Sequence, residues 1–437
     1  FAGEMPAKSA ILAARHCRIM GVHLNDGYAK RDDGLIAGTV HPIQTVELFW
    51  TLDRIGYDGV IYFDTFPDQT GLDPVKECEV NIATVKRLYR VADRLDLSNA
   101  LSAAIAAHLD RLGLSHRSDR LGNLTCTLPG DPALPPVMIF THMDQLGFIV
   151  RKVESNGLIR LERLGGVPER ALPAQAVVLC TDHGDLPALI ANKSHHATTP
   201  EEKYKVLPYA DLYVDAGFTS KAEAEAAGVR IGTPVTYLPR ALTLANGRIA
   251  GTSVDDRAGC AALLKLAEAR IGKPGPTLHF VWAVQEEYNL RGVLPAATAL
   301  APAIALQIDL LLACDTPDMT HRGDVTLGGG PGISLYSFHG RGTLNGVIPH
   351  PALVRLFENA AETAALPLQR SAHTGALTDL SYIQFMGTEG VACLDVGFPM
   401  RYSHSALEVV DPADLDGMVT LIDTALSAIT PDIRLTR

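Results

Sequence analysis

The segment Leu278-His279-Phe280-Val281-Trp282-Ala283-Val284-Gln285-Glu286-Glu287 joins a strongly apolar run to two adjacent acids. The apolar run predicts a buried strand. An ionised carboxylate is costly to bury, so two of them at the end of such a strand need a compensating charge, which metal ions commonly supply. Adjacent side chains on extended backbone point to opposite sides, so one carboxylate could bind metal while the other has a different role. A solvated helix start is the alternative interpretation.

The overall composition is that of a large globular protein. The chain has 437 residues, of which 47% are hydrophobic and 20% charged, so two or three domains are expected. A net charge of −11 argues against a nucleic-acid partner, which would need a basic face. The seven cysteines are scattered without C-x-x-C spacing, which favours a cytoplasmic location. We predict no secretory signal, because Arg15, His16 and Arg18 interrupt the early apolar stretch. We also predict no membrane association, because the apolar stretch 293–314 contains two prolines, Gln307 and Asp309.

Changes in the hydrophobic pattern divide the chain into three regions. Residues 1–95 contain two strand–helix units, with strands predicted at 19–24 and 59–63. Residues 97–147 and 250–437 alternate helices with apolar strands, which predicts an α/β domain. Residues 148–249 lie between them and contain short β-branched runs separated by turn residues. That pattern predicts a small antiparallel barrel or sandwich inserted into the α/β domain.

Two short motifs near predicted strands and helices carry possible metal ligands. His142 and Asp144 follow the apolar strand 137–140, and a carboxylate near an imidazole can fix its tautomer. Asp255 and Asp256 precede a helix, where a single acid would suffice as an N-cap. Each motif alone also has a purely structural explanation, a hydrogen-bonded turn in the first case and a helix cap in the second.

Two further positions complete a set of donors. Asp309 interrupts an apolar strand, where an unpaired acid is uncommon, and His404 lies near the end of the chain. Five ligands exceed one tetrahedral zinc site and suit two metals that share a carboxylate, which would leave Glu286 as the general base. The oxygen and nitrogen donors, which suit zinc, cobalt or manganese, are His142, Asp255, Glu287, Asp309 and His404.

Residues 97–437 contain these motifs in the same order as the glutamyl aminopeptidase and tetrahedral aminopeptidase family and resemble that family. Some of its members are labelled endoglucanase M or cellulase M. The segments that carry the resemblance are Thr141-His142-Met143-Asp144, Ser253-Val254-Asp255-Asp256-Arg257, Gln285-Glu286-Glu287, Asp309 with Asp315, and Arg401-Tyr402-Ser403-His404-Ser405. The resemblance implies an α/β sandwich with an inserted β-barrel for dimerisation. It also implies two divalent ions per chain, zinc or cobalt, peptide substrates, and dimers that assemble into a larger homo-oligomeric shell.

The same resemblance implies a role for each matching residue. Asp255 would bridge the two metals, before a cis peptide bond to Asp256. His142 and Asp309 would complete one metal site, and Glu287 and His404 the other. Asp144 would orient His142, and Glu286 would take a proton from the water between the metals and give it to the leaving amine. The chain departs from the family at Gln145, where an acid is usual, and at 97–101, where a Gly-rich turn is missing.

Residues 1–95 resemble a different family. Three segments are similar to the C-terminal part of a xylose-isomerase-like sugar isomerase barrel: Val22-His23-Leu24-Asn25-Asp26-Gly27, Arg31-Asp32-Asp33-Gly34-Leu35 and Tyr62-Phe63-Asp64-Thr65. The resemblance implies that His23 and Asp64 would be metal-site residues and that the acidic segment Asp32-Asp33 would assist them. A whole (β/α)8 barrel needs about 250 residues, so a barrel remnant is predicted. Three alternatives remain open: a sugar isomerase with an appended hydrolase, a non-catalytic assembly protein with an impaired site, and a glycosidase.

Overall fold

The computed structural model describes residues 100–339 and 346–436 continuously. Before them it describes 71–97 and, nearer the N-terminus, 21–24, 35–37, 59–65 and positions 10, 13, 19, 45, 48–49, 51–52 and 57. The chain divides into two compact units, which are 1–103 with 181–185, and 104–180 with 186–437. Among the residues that the structure describes, no helix is long and apolar enough to cross a membrane.

The first unit contains a two-stranded parallel sheet and a long helix. Strand β1 (Gly21–Leu24) pairs with β2 (Val60–Phe63), and both lie where strands are predicted. Helix α1 (Pro74–Leu97) follows Asp73, whose carboxylate accepts hydrogen bonds from the N–H groups of its first turn. Leu24, Phe49 and Leu52 belong to a small apolar core. The origin of this unit as a barrel remnant stays a prediction.

The rest of the chain alternates strands and helices. The described helices are α2 (Ala100–Arg111), α3 (Lys221–Ala226), α4 (Val254–Arg270), α5 (Leu294–Leu300), α6 (Pro351–Thr363), α7 (Leu380–Ile383) and α8 (Pro412–Ser427), with 3-10 turns at Glu169–Ala171, His195–Ala197, Tyr209–Asp211 and Ala245–Gly247. The strands are β3 (His116–Ser118), β4 (Leu124–Leu128), β5 (Val137–His142), β6 (Gly147–Val153), β7 (Ile159–Leu164), β8 (Ala176–Thr181), β9 (Gly184–Ile190), β10 (Val214–Asp215), β11 (Pro234–Tyr237), β12 (Ala241–Thr243), β13 (Ile249–Gly251), β14 (Leu278–Ala283), β15 (Ile304–Leu312), β16 (Gly332–Phe338), β17 (Gly346–Val347), β18 (Gln369–Thr374), β19 (Ala392–Arg401) and β20 (Glu408–Val410).

A twelve-stranded mixed sheet is the centre of the second unit. Its main path runs β12-β13-β20-β19-β15-β5-β14-β4-β3, and β16 extends it from β19. The four middle strands β19, β15, β5 and β14 are parallel. Their nearly continuous apolar sequences fit burial on both faces, as parallel sheets require. Because parallel strands end at the same edge, residues that follow them are brought together there.

Helices cover both faces of this sheet. Val281 and Trp282 are neighbours on β14, so their side chains point to opposite faces. Trp282 Nε1 donates a hydrogen bond to the carbonyl of Cys260 in α4, 3.2 Å away. Val281 instead packs with Phe140 and residues of α5 and α7 in a separate buried cluster. The predicted α/β architecture is therefore confirmed.

A closed six-stranded barrel precedes β12 in the chain. Its strands follow the order β10-β7-β6-β11-β8-β9, and its interior is filled by apolar side chains such as Phe148, Val150, Leu161, Leu179 and Val235. The structure thus selects the barrel over the sandwich. Five of its strands, β6, β7, β8, β9 and β11, coincide with the β-branched runs between turn residues. Strand β10 has only two residues, too few to show such a pattern. The boundaries 148–249 of an inserted domain stay a prediction.

Candidate metal and catalytic site

The edge at which the parallel strands end collects the predicted donors. His142 is the last residue of β5, and Glu286 and Glu287 follow the end of β14. Asp309 lies deeper, as the sixth of the nine residues of β15, and His404 lies in the turn after β19. The structure therefore brings together side chains that are up to 262 positions apart in the sequence, from His142 to His404.

Two groups of three donors have ligand atoms that all lie within 4.8 Å of one another. One group is His142, Asp255 and Glu287, and the other is His142, Glu286 and Asp309. His404 borders the first group, with Nε2 3.6 Å from Asp255 Oδ2 and 3.8 Å from Glu287 Oε2. All five predicted ligands are thus neighbours, and Glu286 lies beside them.

The adjacent acids Asp255 and Asp256 have different partners. The peptide bond between them is cis. Asp256 Oδ1 accepts the N–H of Gly259 at 3.1 Å, which is the capping contact, and its other oxygen accepts the hydroxyl of Thr141. Asp255 Oδ1 instead lies 3.2 Å from His142 Nε2. One acid therefore caps α4 and leaves the other to the site. A Cβ on Gly259 would lie 2.3 Å from the Asp256 carboxylate, so only glycine fits there.

Glu286 and Glu287 lie on a turn and not on extended backbone. Strand β14 ends at Ala283, and Gln285 has a positive φ of 60°. Both carboxylate oxygens of Asp144 accept hydrogen bonds from this turn, at 3.1 Å from the N–H of Glu286 and 3.1 Å from that of Glu287. The prediction that the two side chains point to opposite sides of a strand is wrong for this reason. The Asp144 carboxylate holds both residues toward the same site.

Backbone carbonyls orient the two histidine rings. His142 Nδ1 lies 3.2 Å from the carbonyl oxygen of Asp144 and 3.7 Å from its carboxylate. His404 Nδ1 lies 2.9 Å from the carbonyl oxygen of Gly166, in the barrel segment that follows β7. A carbonyl can only accept, so each Nδ1 donates a proton to it. Each Nε2 is thereby turned toward the carboxylates, where its lone pair would be available to a bound cation. The barrel thereby contributes one contact to the site.

Glu408 is a site residue that the sequence analysis missed. It is buried in β20, where its Oε2 accepts the N–H of Asp255 at 2.9 Å and its Oε1 accepts the N–H of His404 at 2.7 Å. It therefore ties together the backbones of two candidate ligands. The signal was available in principle, because Glu408 is an acid at the head of an apolar strand, as Asp309 is within another.

Asp379 and Asp395 were missed as well. Asp379 is fully buried at the start of α7, and neither of its carboxylate oxygens has a hydrogen-bond partner among the described residues. Asp395 is buried within β19. Burial raises the pKa of Asp379 to about 8 and that of Asp395 to about 7. Both acids adjoin short apolar segments, and that pattern alone does not say which site they face.

Several carboxyl groups are buried close together in this site, so their ionised forms are costly. Burial raises the pKa of both Glu286 and Glu287 well above the ordinary range, with nearby acids adding to the effect. Burial and Asp255 raise the pKa of Asp309 to about 7. Burial lowers the pKa of His142, but Glu286 and Asp255 outweigh it and the net pKa is raised. Among the described residues, Glu287 Oε1 is buried without a hydrogen-bond partner. These donors therefore fit bound divalent cations, which would offset the clustered charge.

The two departures from the family pattern have different outcomes. Gln145 Oε1 accepts hydrogen bonds from Arg257 Nη2 at 3.0 Å and from the hydroxyl of Ser253. An amide oxygen thus serves as acceptor where an acid is usual. Within the segment that lacks the Gly-rich turn, residues 98 and 99 lie outside the described residues, so the effect of this difference stays a prediction.

The N-terminal pair His23 and Asp64 is solvent-exposed. His23 Nδ1 lies 3.9 Å from Asp64 Oδ2, and the side chains are 69% and 51% exposed. In the part of the chain that the structure describes, neither belongs to a group of three potential metal ligands. The acidic segment Asp32-Asp33, which the isomerase resemblance includes, lies outside the described residues. A vestigial isomerase site stays a prediction.

Comparison with known proteins shows which family this chain belongs to. The sequence profile of the M42 glutamyl aminopeptidases matches residues 122–421. SgcX of Escherichia coli (strain K12), which is provisionally named as an aminopeptidase, is 36% identical to this chain over 334 residues. The match covers 76% of this chain and 89% of SgcX. The lysyl aminopeptidase of Pyrococcus furiosus is 29% identical over 319 residues, or 72% of this chain and 87% of that protein.

Solved structures agree with this assignment. The TET aminopeptidase of the marine sediment archaeon Thaumarchaeota SCGC AB-539-E09 superimposes with a TM-score of 0.70 at 28% identity, over 75% of this chain and 90% of that one. The TET1 peptidase of Pyrococcus horikoshii, which can assemble into a tetrahedron or a large octahedral shell, has a TM-score of 0.66 at 26% identity, over 75% and 93% of the two chains. The chain therefore belongs to the M42 glutamyl aminopeptidase family, and it is a metal-dependent peptide hydrolase of the aminopeptidase class.

Proposed function

We propose that this chain hydrolyses N-terminal residues from peptides at a site for two divalent cations, zinc or cobalt, in a di-metal α/β sandwich. The main observation behind this proposal is that buried carboxylates lie close to the Nε2 atoms of two histidines. The proposed ligands are His142, Asp255, Glu287, Asp309 and His404. Asp255 is the natural shared ligand, since its two oxygens face the two histidines separately.

Glu286 is the proposed general base and acid. When bound, the two cations would lower the pKa of the attacking water and polarise the scissile carbonyl. Glu286 Oε2 lies 3.9 Å from His142 Nε2, and its side chain is buried. Burial raises the pKa of Glu286 above the ordinary range, and a carboxylate placed beside the proposed ligands can act as a proton acceptor. It takes a proton from the water and delivers one to the leaving amine.

Asp144 and Glu408 are the proposed positioning residues. Asp144 fixes the turn that carries Glu286 and Glu287, so the base and a ligand keep one geometry. Glu408 does the same for Asp255 and His404. Such outer contacts commonly affect metal affinity about 10–100-fold.

A panel of aminoacyl-p-nitroanilides tests the function directly. We expect turnover of substrates with a free α-amine and no turnover of their N-acetylated forms. Activity should be lost after EDTA dialysis and return with zinc, cobalt or manganese. The same panel should be run on the chain with and without residues 1–95. Full activity in EDTA, or cleavage of the acetylated substrates, would contradict the proposal.

The alternatives have separate outcomes. Aldose–ketose conversion that survives Glu286→Gln would favour the isomerase fusion. Clearly less than one zinc or cobalt per chain after reconstitution would favour a non-catalytic assembly protein. Cellulose hydrolysis that persists in EDTA would favour a glycosidase, which can act with two carboxylates alone.

Once metal has been removed, the free energy of unfolding of the chain should fall as pH rises. Burial raises the pKa of Asp309 to about 7 and that of Glu408 to about 8, against ordinary values of about 4. The folded chain then holds protons that the unfolded chain releases. The contribution of these two carboxyl groups to the free energy of unfolding is therefore fully present below about pH 4 and is lost as pH rises through their folded pKa values. Melting temperatures from pH 5 to 8.5 should fall in EDTA and fall less with zinc. A rising melting temperature in EDTA would contradict this.

Assembly and location are further parts of the proposal. Similarity to TET peptidases that form shells supports a homo-oligomer, with dimers formed through the barrel domain at 148–249. Residues 97–147 and 250–437 would form the catalytic domain, preceded by the segment 1–95. Among the described residues, no disulfide bond joins Cys78, Cys126, Cys260, Cys314 or Cys393, which supports a reducing, cytoplasmic environment.

A further inference from the structure

A second pocket opens beside Asp309, between strands β15, β16, β18 and β19. It contains about 390 Å³ of empty space, its open mouth included. Leu311 and Leu377 supply the apolar part of its wall, and Ser337, His373 and Asp395 supply polar groups. Since Asp309 belongs both to this wall and to the candidate metal set, the pocket adjoins the position where a scissile bond would lie.

Asp395 is the buried charge of this pocket. It is 4% exposed. Its Oδ1 accepts the hydroxyl of Thr378 at 2.7 Å, whereas its Oδ2 forms no hydrogen bond with the described residues. Burial raises its pKa to about 7. A buried acid with an unused oxygen in an open pocket would be stabilised as the anion by a cationic ligand.

The strand register places Asp395 on the same face as Asp309. Asp395 is paired with Gln307, and Asp309 is paired with Gly397. Residues two apart on a strand share a face, so the two acids line one side of the sheet. A Cβ on Gly397 would lie 2.4 Å from the carbonyl oxygen of Asp309 and 2.8 Å from Leu311 Cγ. Glycine therefore leaves the wall between the two acids without a side chain.

The remaining polar groups do not cancel the charge of Asp395. Burial and Arg322 lower the pKa of His373, which keeps that imidazole neutral. Ser337 Oγ is buried without a hydrogen-bond partner among the described residues, and a hydroxyl can accept a hydrogen bond from an ammonium or guanidinium group. With Asp309 committed to metal, Asp395 is the remaining carboxylate among the described residues that line the pocket, and it lies beside apolar sides and an unused acceptor.

We propose that this pocket receives the side chain of the substrate's N-terminal residue and that Asp395 makes it select lysine and arginine. The inference rests on the proposed function, because the pocket is defined by its position beside the metal site. The alkyl stem of a basic side chain would pack against Leu311 and Leu377, and its charged end would pair with Asp395. Asp395 is thus a specificity-determining residue and takes no part in the hydrolysis.

Lysine and norleucine p-nitroanilides test the charge, because norleucine is lysine without its ammonium group. We expect wild-type kcat/KM to be at least about tenfold higher for lysine. Asp395→Asn keeps the shape and an acceptor for Thr378 but removes the charge. It should lower the lysine-to-norleucine ratio about tenfold or more, with kcat/KM for norleucine within about threefold of wild type.

Asp416→Asn is the matched control. Asp416 is 65% exposed and pairs with Lys265 at 2.7 Å, so this variant makes the same charge change outside the pocket, and the substrate ratio should not move. A binding measurement complements the kinetics. Calorimetric titration of zinc-loaded Glu286→Gln with L-lysinamide and L-norleucinamide should show tighter binding of lysinamide, and adding Asp395→Asn should abolish that difference.

The outcomes separate the pocket from the function. An unchanged ratio in Asp395→Asn, or wild-type preference for norleucine, glutamine or serine over lysine, would overturn the pocket assignment while leaving an aminopeptidase. Absence of turnover for every aminoacyl substrate would overturn the proposed function, and the inference with it. If Asp395→Asn does not fold, wild type and the charge-conserving Asp395→Glu decide, because both must prefer lysine to norleucine.

Discussion

Replacing Glu286 by glutamine should lower kcat for aminoacyl-p-nitroanilides about 10²–10⁴-fold while metal content stays at the wild-type level. The amide keeps the size of the side chain and cannot take a proton from water. The backbone N–H of residue 286 still donates to Asp144, so the turn should be preserved. Steady-state kinetics and metal analysis of the reconstituted variant provide the measurement.

The neighbouring Glu287→Gln is the matched control for this prediction. It makes the same chemical change on the same turn, one residue further on, and its N–H also donates to Asp144. Because Glu287 is a proposed ligand, this variant should lose both turnover and metal. Near-normal activity of Glu286→Gln would remove Glu286 as the base, and equal metal loss in both variants would make Glu286 a ligand.

Replacing Asp255 by alanine should abolish binding of at least one of the two proposed metals. Its two oxygens lie 3.2 Å from His142 Nε2 and 3.6 Å from His404 Nε2, so its loss opens both halves of the site. Since outer contacts alone cost about 10–100-fold in metal affinity, loss of the shared ligand should exceed about 100-fold. Metal analysis after dialysis against a zinc buffer, with calorimetric titration of zinc, measures this loss.

The Asp255→Ala result needs a control for folding. Asp416→Asn changes one exposed carboxylate and should keep wild-type metal content and activity. In EDTA, Asp255→Ala should melt at or above the wild-type temperature, because one buried acid has been removed from a crowded set. Wild-type metal content in Asp255→Ala would show that Asp255 is not a ligand.

Many of the strands and several of the buried acids of this protein could be predicted from local sequence patterns. The buried strands β5, β14 and β15 were predictable because uninterrupted apolar runs have few other uses in a globular protein. Acids that interrupt such runs, Asp309 above all, were recognisable because burying an unpaired charge is costly. The barrel strands were predictable from β-branched runs between turn residues.

Other features were not visible in the sequence because they depend on contacts over long distances along the chain. Glu408 forms hydrogen bonds to Asp255 across 153 positions, and no local pattern encodes such a pairing. The turn at Glu286 depends on the Asp144 carboxylate, 142 positions away. Without that contact, the pair was expected on extended backbone with opposed side chains.

The sequence by itself therefore predicted the class of the protein through its resemblance to a known family, and the α/β fold with a small barrel through hydrophobic periodicity, which acts locally. It also supplied the proposed donors, because the cost of burying an unpaired charge makes such acids stand out in an apolar run. Tertiary structure alone decided that Asp256 caps a helix while Asp255 faces the histidines. It also decided that Gly166 of the barrel orients His404, and that Asp395 stands beside Asp309 in one pocket. These are properties of strand register and chain crossing, which bring distant side chains within hydrogen-bonding range.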